Sequence, residues 1–243
     1  MLLTTSRSAQ FEASSDGTWW FEGWTSRYVA AGVTSRSTGP SQLLVALRPV
    51  VTTVEAEQVH GGSIAIVGRA QTLAGPVPGC DALVTHLPGV ALFIRTADCI
   101  PMFFADPVRG VVGIAHVGWR GLAVELPIRM LAAFQHAYRS RAEQLHVAIG
   151  PAIRACCYEV RSDFPPQFAR FLQDRSGHQM CDLISMAVAQ LQCGGVRPQR
   201  IADAQRCTAC EPQHWFSLRR EGPATGRLTS AIMLRPRQVR SER

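Results

Sequence analysis

The chain has 243 residues, 47% hydrophobic and 18% charged, a balance that suits a globular protein of one large domain or two small ones. Its net charge of +7 and pI near 9.3 permit an anionic ligand, but the basic residues are scattered rather than interleaved with aromatics, which argues against nucleic acid as a partner. No run approaches the ~18 apolar residues of a membrane helix, and the opening MLLTTSR lacks the order of a signal peptide, so a cytoplasmic protein without a membrane partner is expected.

All 25 Lys-plus-Arg residues are arginine, which excludes Schiff-base chemistry on lysine. The eight cysteines, without a signal peptide, point to reduced thiols rather than a disulfide framework.

Residues 1–20 are polar without an apolar period and are expected to be poorly ordered. The aromatic cluster from Trp19 to Trp24 reads as core or lid packing. Ala30 to Ser41 is rich in Gly, Ser, Thr and Pro and holds a single basic side chain, Arg36. Such a segment either presents N–H groups and a guanidinium to an anion or is an exposed linker. Leu43–Leu47 and Val50–Val54 read as short strands. In Gln58-Val59-His60-Gly61-Gly62 a histidine precedes two glycines, where side chain and backbone can come close to a ligand. Ile64–Val67, Ala82–Thr85 and Gly89–Arg95 continue the strand pattern.

Thr96 to Gly121 is the stretch around which the chain is organised. The apolar runs Ile100–Ala105 and Val111–Ala115 flank a turn at Asp106–Gly110, so a hairpin is expected that brings Asp98-Cys99 and His116 to one end of a sheet. Leu122 to Tyr138 has helical spacing, which makes Gly118–Gly121 a strand-to-helix junction able to face an anion, with Arg120 beside it. Leu145–Ile149 reads as a strand, Phe164–Asp174 and Asp182–Gln192 as helices, and Leu228–Leu234 as the last strand. Neither a repeat nor a composition break divides the chain. The expected organisation is a disordered segment 1–20, one domain over 21–235 and a basic tail at 236–243.

His60, Cys99 and His116 each stand at a strand end beside a turn or glycine. Two imidazoles and a thiolate suit Zn²⁺ and leave a fourth position open for water or substrate. Asp98 is placed to accept a hydrogen bond from a ring N–H as outer support. The same Cys99 and His116 could instead be a nucleophile with its base, or could be structural. Cys207-x-x-Cys210 lacks the second CxxC or nearby histidine pair that would complete a structural zinc site. No GxGxxG, Walker loop, GxSxG or HExxH is present, which argues against dinucleotide enzymes, P-loop NTPases, α/β-hydrolases and zincins.

Nine ordered motifs carry a family resemblance. They are QVHG at Gln58–Gly61, CDALVT at Cys80–Thr85, TADC at Thr96–Cys99, AHVGWRG at Ala115–Gly121, IGPAI at Ile149–Ile153, CCYEV at Cys156–Val160, CT at Cys207-Thr208, FSLRR at Phe216–Arg220 and TGR at Thr225–Arg227. From about Gly32 to Leu234 the chain resembles the laccase-domain, or multicopper polyphenol oxidoreductase, family, whose members are regarded as purine nucleoside phosphorylases with adenosine deaminase activity. The resemblance implies an α/β fold, a layered sandwich of mixed β-sheets flanked by helices. It also implies a zinc and active site on His60, Cys99 and His116. Members usually have an Arg, a glycine pair and a Ser, then a longer stretch before QVHG. Here Ser35 to Ser41 keeps only Arg36, one glycine and the serines, and the stretch is short.

The reaction this implies is phosphorolysis of a purine nucleoside such as adenosine, inosine or methylthioadenosine, with inorganic phosphate attacking the ribose C1′. Arg36, Arg120 and the Gly118–Gly121 helix start are the candidate anion contacts. Adenosine deamination would use the metal to acidify the attacking water. Other readings are a copper-dependent polyphenol oxidase, a metal-free cysteine hydrolase on Cys99 and His116, and a non-catalytic zinc-bound nucleoside-binding protein. Protein partners are not legible from the sequence.

Overall fold

The computed structural model describes residues 10–25, 28–50, 52–68 and 75–236. β1 (Gln10–Ala13) and β2 (Trp19–Glu22) form a hairpin that β3 (Val29–Val33) extends, and α1 (Pro40–Ala46) leads to β4 (Thr52–Glu55) and β5 (Ile64–Val67). β6 (Ala82–Thr85), β7 (Val90–Thr96), β8 (Ile100–Asp106) and β9 (Val111–Val117) follow, then α2 (Trp119–Ala123) and α3 (Leu126–Tyr138). The remaining elements are β10 (His146–Ile149), β11 (Leu172–Arg175), β12 (His178–Cys181), α4 (Leu183–Cys193), β13 (Ile201–Asp203), α5 (Leu218–Glu221) and β14 (Leu228–Leu234).

Two mixed six-stranded sheets result, with strand orders β1-β2-β3-β14-β7-β4 and β13-β10-β8-β9-β6-β5. Alternation along each strand decides the layers, because successive side chains point to opposite faces. Leu92, Ile94 and Ile232 of the first sheet meet Phe103, Val112 and Ile114 of the second. Their neighbours Ala91, Phe93, Ala231 and Met233 face outward, under Leu43 and Leu47 of the α1 segment. On the far side, Met102, Phe104 and Ala115 pack against Met130 and Phe134 of α3 and Leu191 of α4. A β-carbon on Gly113 would lie 2.9 Å from the Phe134 ring, so glycine there lets α3 sit close to β9. Fully buried side chains of this kind each contribute ~2 kcal/mol relative to exposure, so the order of layers is a packing result. The architecture is helix, sheet, sheet, helix in one domain. Among the described residues, no helix is long and apolar enough to cross a membrane.

The chain crosses from the first sheet to the second between β4 and β5 and again between β7 and β8. It crosses back between β6 and β7 and again between β13 and β14. These connections hold His60, then Asp98 and Cys99, then Cys207 to Arg227. The central hairpin pairs Pro101 with His116, so the end of β9 lies beside the start of β8, as the turn at Asp106–Gly110 predicts.

Several expectations are corrected. Residues 10–13 and 19–22 are paired strands, held by Phe11 on Trp19 (centroids 5.4 Å apart) and Trp19 on Trp215 (5.2 Å), with a turn between them; residues 1–9 of the expected disordered segment lie outside the described residues. Leu43–Leu47 is helical, with Pro40 in the first turn and Leu43 and Leu47, four apart, buried on one face. The Ala30–Ser41 segment begins as strand β3 before its loop. Leu122–Tyr138 is interrupted at Glu125, whose φ of 57° is left-handed, and Pro127 starts α3 afresh. Phe164–Asp174 is a short 3₁₀ turn running into β11, because Ser176 and Gly177, both with positive φ, make the two-residue turn of a hairpin with β12. Most of the expected basic tail, residues 237–243, lies outside the described residues.

Candidate metal centre and active-site cleft

The three sequence candidates meet. Ligand atoms of His60, Cys99 and His116 all lie within 4.8 Å of one another, and the two imidazole rings stand edge to face with centroids 4.7 Å apart. Each comes from a different local device. His116 is the penultimate residue of a fully buried strand, β9. Cys99 follows Asp98, whose φ of 88° turns the chain from one sheet into the other, and His60 is itself left-handed (φ 59°), as is Gln58 (φ 67°). Such backbone costs ~1–3 kcal/mol per non-glycine residue and persists only where neighbours enforce it. Here they do. Gln58 donates from Nε2 to the Arg95 carbonyl (2.6 Å) and accepts the Arg95 N–H (2.7 Å). Asp98 accepts the Thr208 hydroxyl (2.6 Å) and the Arg219 N–H (2.7 Å), while its carbonyl accepts the Ile153 N–H (2.9 Å).

Asp98 therefore does not support a histidine ring; that expectation is corrected. Asp81 does so instead. Its fully buried carboxylate accepts Nδ1–H of His116 (2.9 Å), the His60 N–H (2.8 Å) and the Gly61 N–H (2.7 Å). The bond to Nδ1 leaves Nε2 of His116 to face the cluster. Burial alone would raise the Asp81 pKa, but His116 and the two N–H groups outweigh it and hold the carboxyl below its usual range. Burial would likewise raise the Cys99 thiol, yet His116 and His60 bring it down to about 6. For His116, burial works against the charge, and Asp81 and Cys99 overcome it, raising the imidazole to about 9. Without a metal, these opposed shifts favour a thiolate–imidazolium pair at neutral pH. A divalent cation that takes the place of the shared proton would meet a thiolate and two ring nitrogens, which is a fitting donor set.

Gly118 closes the cluster from above. A β-carbon there would lie 3.0 Å from Cys99 Sγ, so this glycine is required by close approach rather than by its φ of −89°.

The cluster opens into a cleft of about 470 Å³, walled by Glu55, Glu57, Gln58, Arg95, Leu218 and Arg227. Neither sequence-selected arginine lines it. Arg36 is ion-paired with Glu221 (2.5 Å), which it shares with Arg220, and lies over the Phe216 ring, so its guanidinium is held away from the cleft. Arg120 is exposed and stacks on Trp119, 4.3 Å from the ring centroid. The guanidinium groups at the cleft are Arg95, bound to Glu55 (2.6 Å), and Arg227, which has no carboxylate partner among the described residues. Sequence reasoning missed Asp81 and Arg227, although both stand in quoted motifs. A carboxylate at the head of the buried strand β6 and an arginine behind a Thr-Gly turn were the signals.

Residues 40–235 match the sequence model of the multi-copper polyphenol oxidoreductase laccase family. The chain belongs to this family of enzymes. It is similar to purine nucleoside phosphorylase YlmD of Geobacillus stearothermophilus, 38% identical over 72% of this chain and 70% of the relative. Adenosine deaminase RL5, from an unidentified prokaryote, is 34% identical over 63% of this chain and 62% of its own. The crystal structure of Bacillus licheniformis protein YfiH covers 93% of this chain and 99% of its own, with a TM-score of 0.83 at 27% identity.

Proposed function

We propose that this laccase-domain chain is a zinc-dependent purine nucleoside phosphorylase that also deaminates adenosine. The observation that carries the proposal is the three-ligand cluster at the floor of a cleft that offers an unpaired arginine. His60, Cys99 and His116 would hold the ion, which would supply Lewis acidity next to the reacting atoms and keep a fourth position open.

The chain's own groups account for the rest. Arg227 binds the attacking phosphate by charge-assisted hydrogen bonds, while Arg95 is held by Glu55. Glu55 and Glu57 present carboxylates to ribose hydroxyls. An oxygen of hydrogen phosphate forms its bond to C1′ as the bond from C1′ to the purine nitrogen breaks; that nitrogen keeps the electron pair and takes up the proton that the phosphate gives up. Asp81 fixes the ring of His116 and the backbone of His60, so the donor set is in place before substrate arrives. A cytoplasmic setting, where eight free thiols stay reduced, suits this chemistry.

Zinc is favoured over a multicopper centre by the donors available. The chain has seven histidines and only two reach the cluster; His146 and His178, for example, are bound to the Trp24 carbonyl and to Glu159. The thiolate–imidazolium pair favours one second reading, a metal-free cysteine hydrolase. Incubating purified protein with adenosine, inosine and methylthioadenosine, with and without phosphate, separates these readings. Phosphate-dependent release of free base that stops on chelation and returns with zinc is expected. Turnover of none of them, or activity that survives chelation, defeats the proposal.

A further inference from the structure

A second cluster of thiols lies outside the cleft. Sγ atoms of Cys156, Cys157, Cys207 and Cys210 are all within 4.8 Å of one another. The CxxC thus finds its complement in an adjacent cysteine pair some fifty residues earlier, a partnership hidden in the sequence because the fold creates it. β10 and β13 run parallel, Ile149 beside Asp203, and the ladder continues as a bridge between Ala152 and Cys207. Thr208 N–H donates to the Ala152 carbonyl (3.1 Å), and Arg154 is ion-paired to Asp203. Both cysteine pairs are therefore delivered to one end of the same two strands.

The spacing distinguishes among the uses of four thiols. Cys157 and Cys156 stand 3.3 and 3.5 Å from Cys210, sulfur to sulfur, far longer than the ~2.05 Å of a disulfide. Four sulfurs around one tetrahedral ion at ~2.3 Å are separated by ~3.8 Å, the edge of that tetrahedron. An iron–sulfur cluster, with several irons between its thiolates, needs its sulfurs spread more widely than 4.8 Å.

We propose that Cys156, Cys157, Cys207 and Cys210 form a mononuclear zinc tetrathiolate, a structural centre separate from the one in the cleft. Binding exchanges thiol protons for the ion and releases them to solvent. Four protein ligands fill the coordination sphere, so this centre does no chemistry on substrate. Its effect reaches the cleft mechanically. Thr208, between the two cysteines, donates to Asp98 (2.6 Å), the residue that turns the chain into Cys99. Arg220, in the helix after Leu218, donates to the carbonyls of Thr208 and Ala209 at 2.8 Å each. The ion would staple the loops on which one wall of the cleft rests.

The test isolates this centre by removing a ligand of the other. With thiols kept reduced, Cys99→Ala protein titrated with Co²⁺ is expected to bind one ion per chain. Its spectrum should show the strong thiolate-to-cobalt charge transfer and tetrahedral d–d bands of four sulfur ligands, and Zn²⁺ should abolish it. Adding Cys156→Ser and Cys210→Ser, both at exposed positions, should eliminate the charge-transfer bands while circular dichroism confirms the fold. X-ray absorption at the zinc edge of the Cys99→Ala protein should give sulfur neighbours alone. Folded Cys99→Ala protein that binds no cobalt, bands that survive the two serine substitutions, or a chain that purifies red with iron would each overturn the proposal.

Discussion

Asp81 grips His116 from beneath, its Oδ1 accepting the ring's Nδ1–H at 2.9 Å while both side chains are buried. The same carboxylate takes the N–H groups of His60 and Gly61, so one residue sets the position of two of the three metal-ligand candidates. Asp81→Asn keeps the size but can accept on only one oxygen and places an amide where Oδ2 receives the Gly61 N–H. Outer partners of this kind change metal affinity by about 10–100-fold. Zinc affinity measured by competition with a chromophoric chelator should fall by that order in Asp81→Asn, and turnover should fall with it. Wild-type affinity in a folded variant would remove Asp81 from this role.

Gly118→Ala asks whether the space above Cys99 matters. The backbone accepts alanine, with φ at −89°, but the new methyl would sit 3.0 Å from the sulfur. Thermal stability should change little, whereas metal content and turnover should drop together. An alanine variant with full metal content and full activity would show that Cys99 has room to give way.

The thiolate–imidazolium pair can be titrated in the metal-free protein. Cys99 alkylation by iodoacetamide, followed on its own peptide by mass spectrometry, should rise with pH to a midpoint at about 6. The sign follows from the partners: with His116 raised to about 9, the imidazolium is still protonated through that range and keeps the thiol low. In His116→Ala the desolvation of Cys99 is no longer opposed by that charge, so the midpoint should move upward by more than one pH unit. A midpoint unaffected by this substitution would leave the low thiol without its stated cause.

How far the sequence led can be judged at particular residues. Cys99 and His116 were legible because both flank one hairpin, and a hairpin's register follows from its turn. His60 was legible through its glycines, although its left-handed backbone was not. Asp81 was passed over because a carboxylate entering an apolar strand carries no local mark of what it will bind. Arg36 misled for a related reason: composition shows a guanidinium in a loop but not Glu221, 185 residues later, that ties it down. Leu43–Leu47 was read as a strand because a short apolar run satisfies either period, and only the cover it gives to Ala91 and Phe93 decides for a helix. The sandwich itself is what the family resemblance implies, whereas the crossings between its sheets, which assemble the cleft, are tertiary facts.

Arg227 and Arg36 make a matched pair for testing the phosphate site. Both are arginines on segments near the cleft, but Arg227 is exposed at its wall without a carboxylate partner among the described residues, while Arg36 is tied to Glu221. A hydrogen bond to a charged group contributes about 1.5–3 kcal/mol, which is about 10–150-fold in binding. Arg227→Ala should therefore raise KM for phosphate by roughly that factor, with a smaller change for the nucleoside. Arg36→Ala should leave KM for phosphate where it was. It removes a half-exposed ion pair that solvent screens, and its effect should appear as a small change in Tm instead. Glu221 keeps Arg220 and Thr225 as partners in that variant, so the loop should hold. The opposite pattern, phosphate KM rising in Arg36→Ala and unchanged in Arg227→Ala, would return the anion site to the loop that the sequence first suggested and would require that loop to open during catalysis.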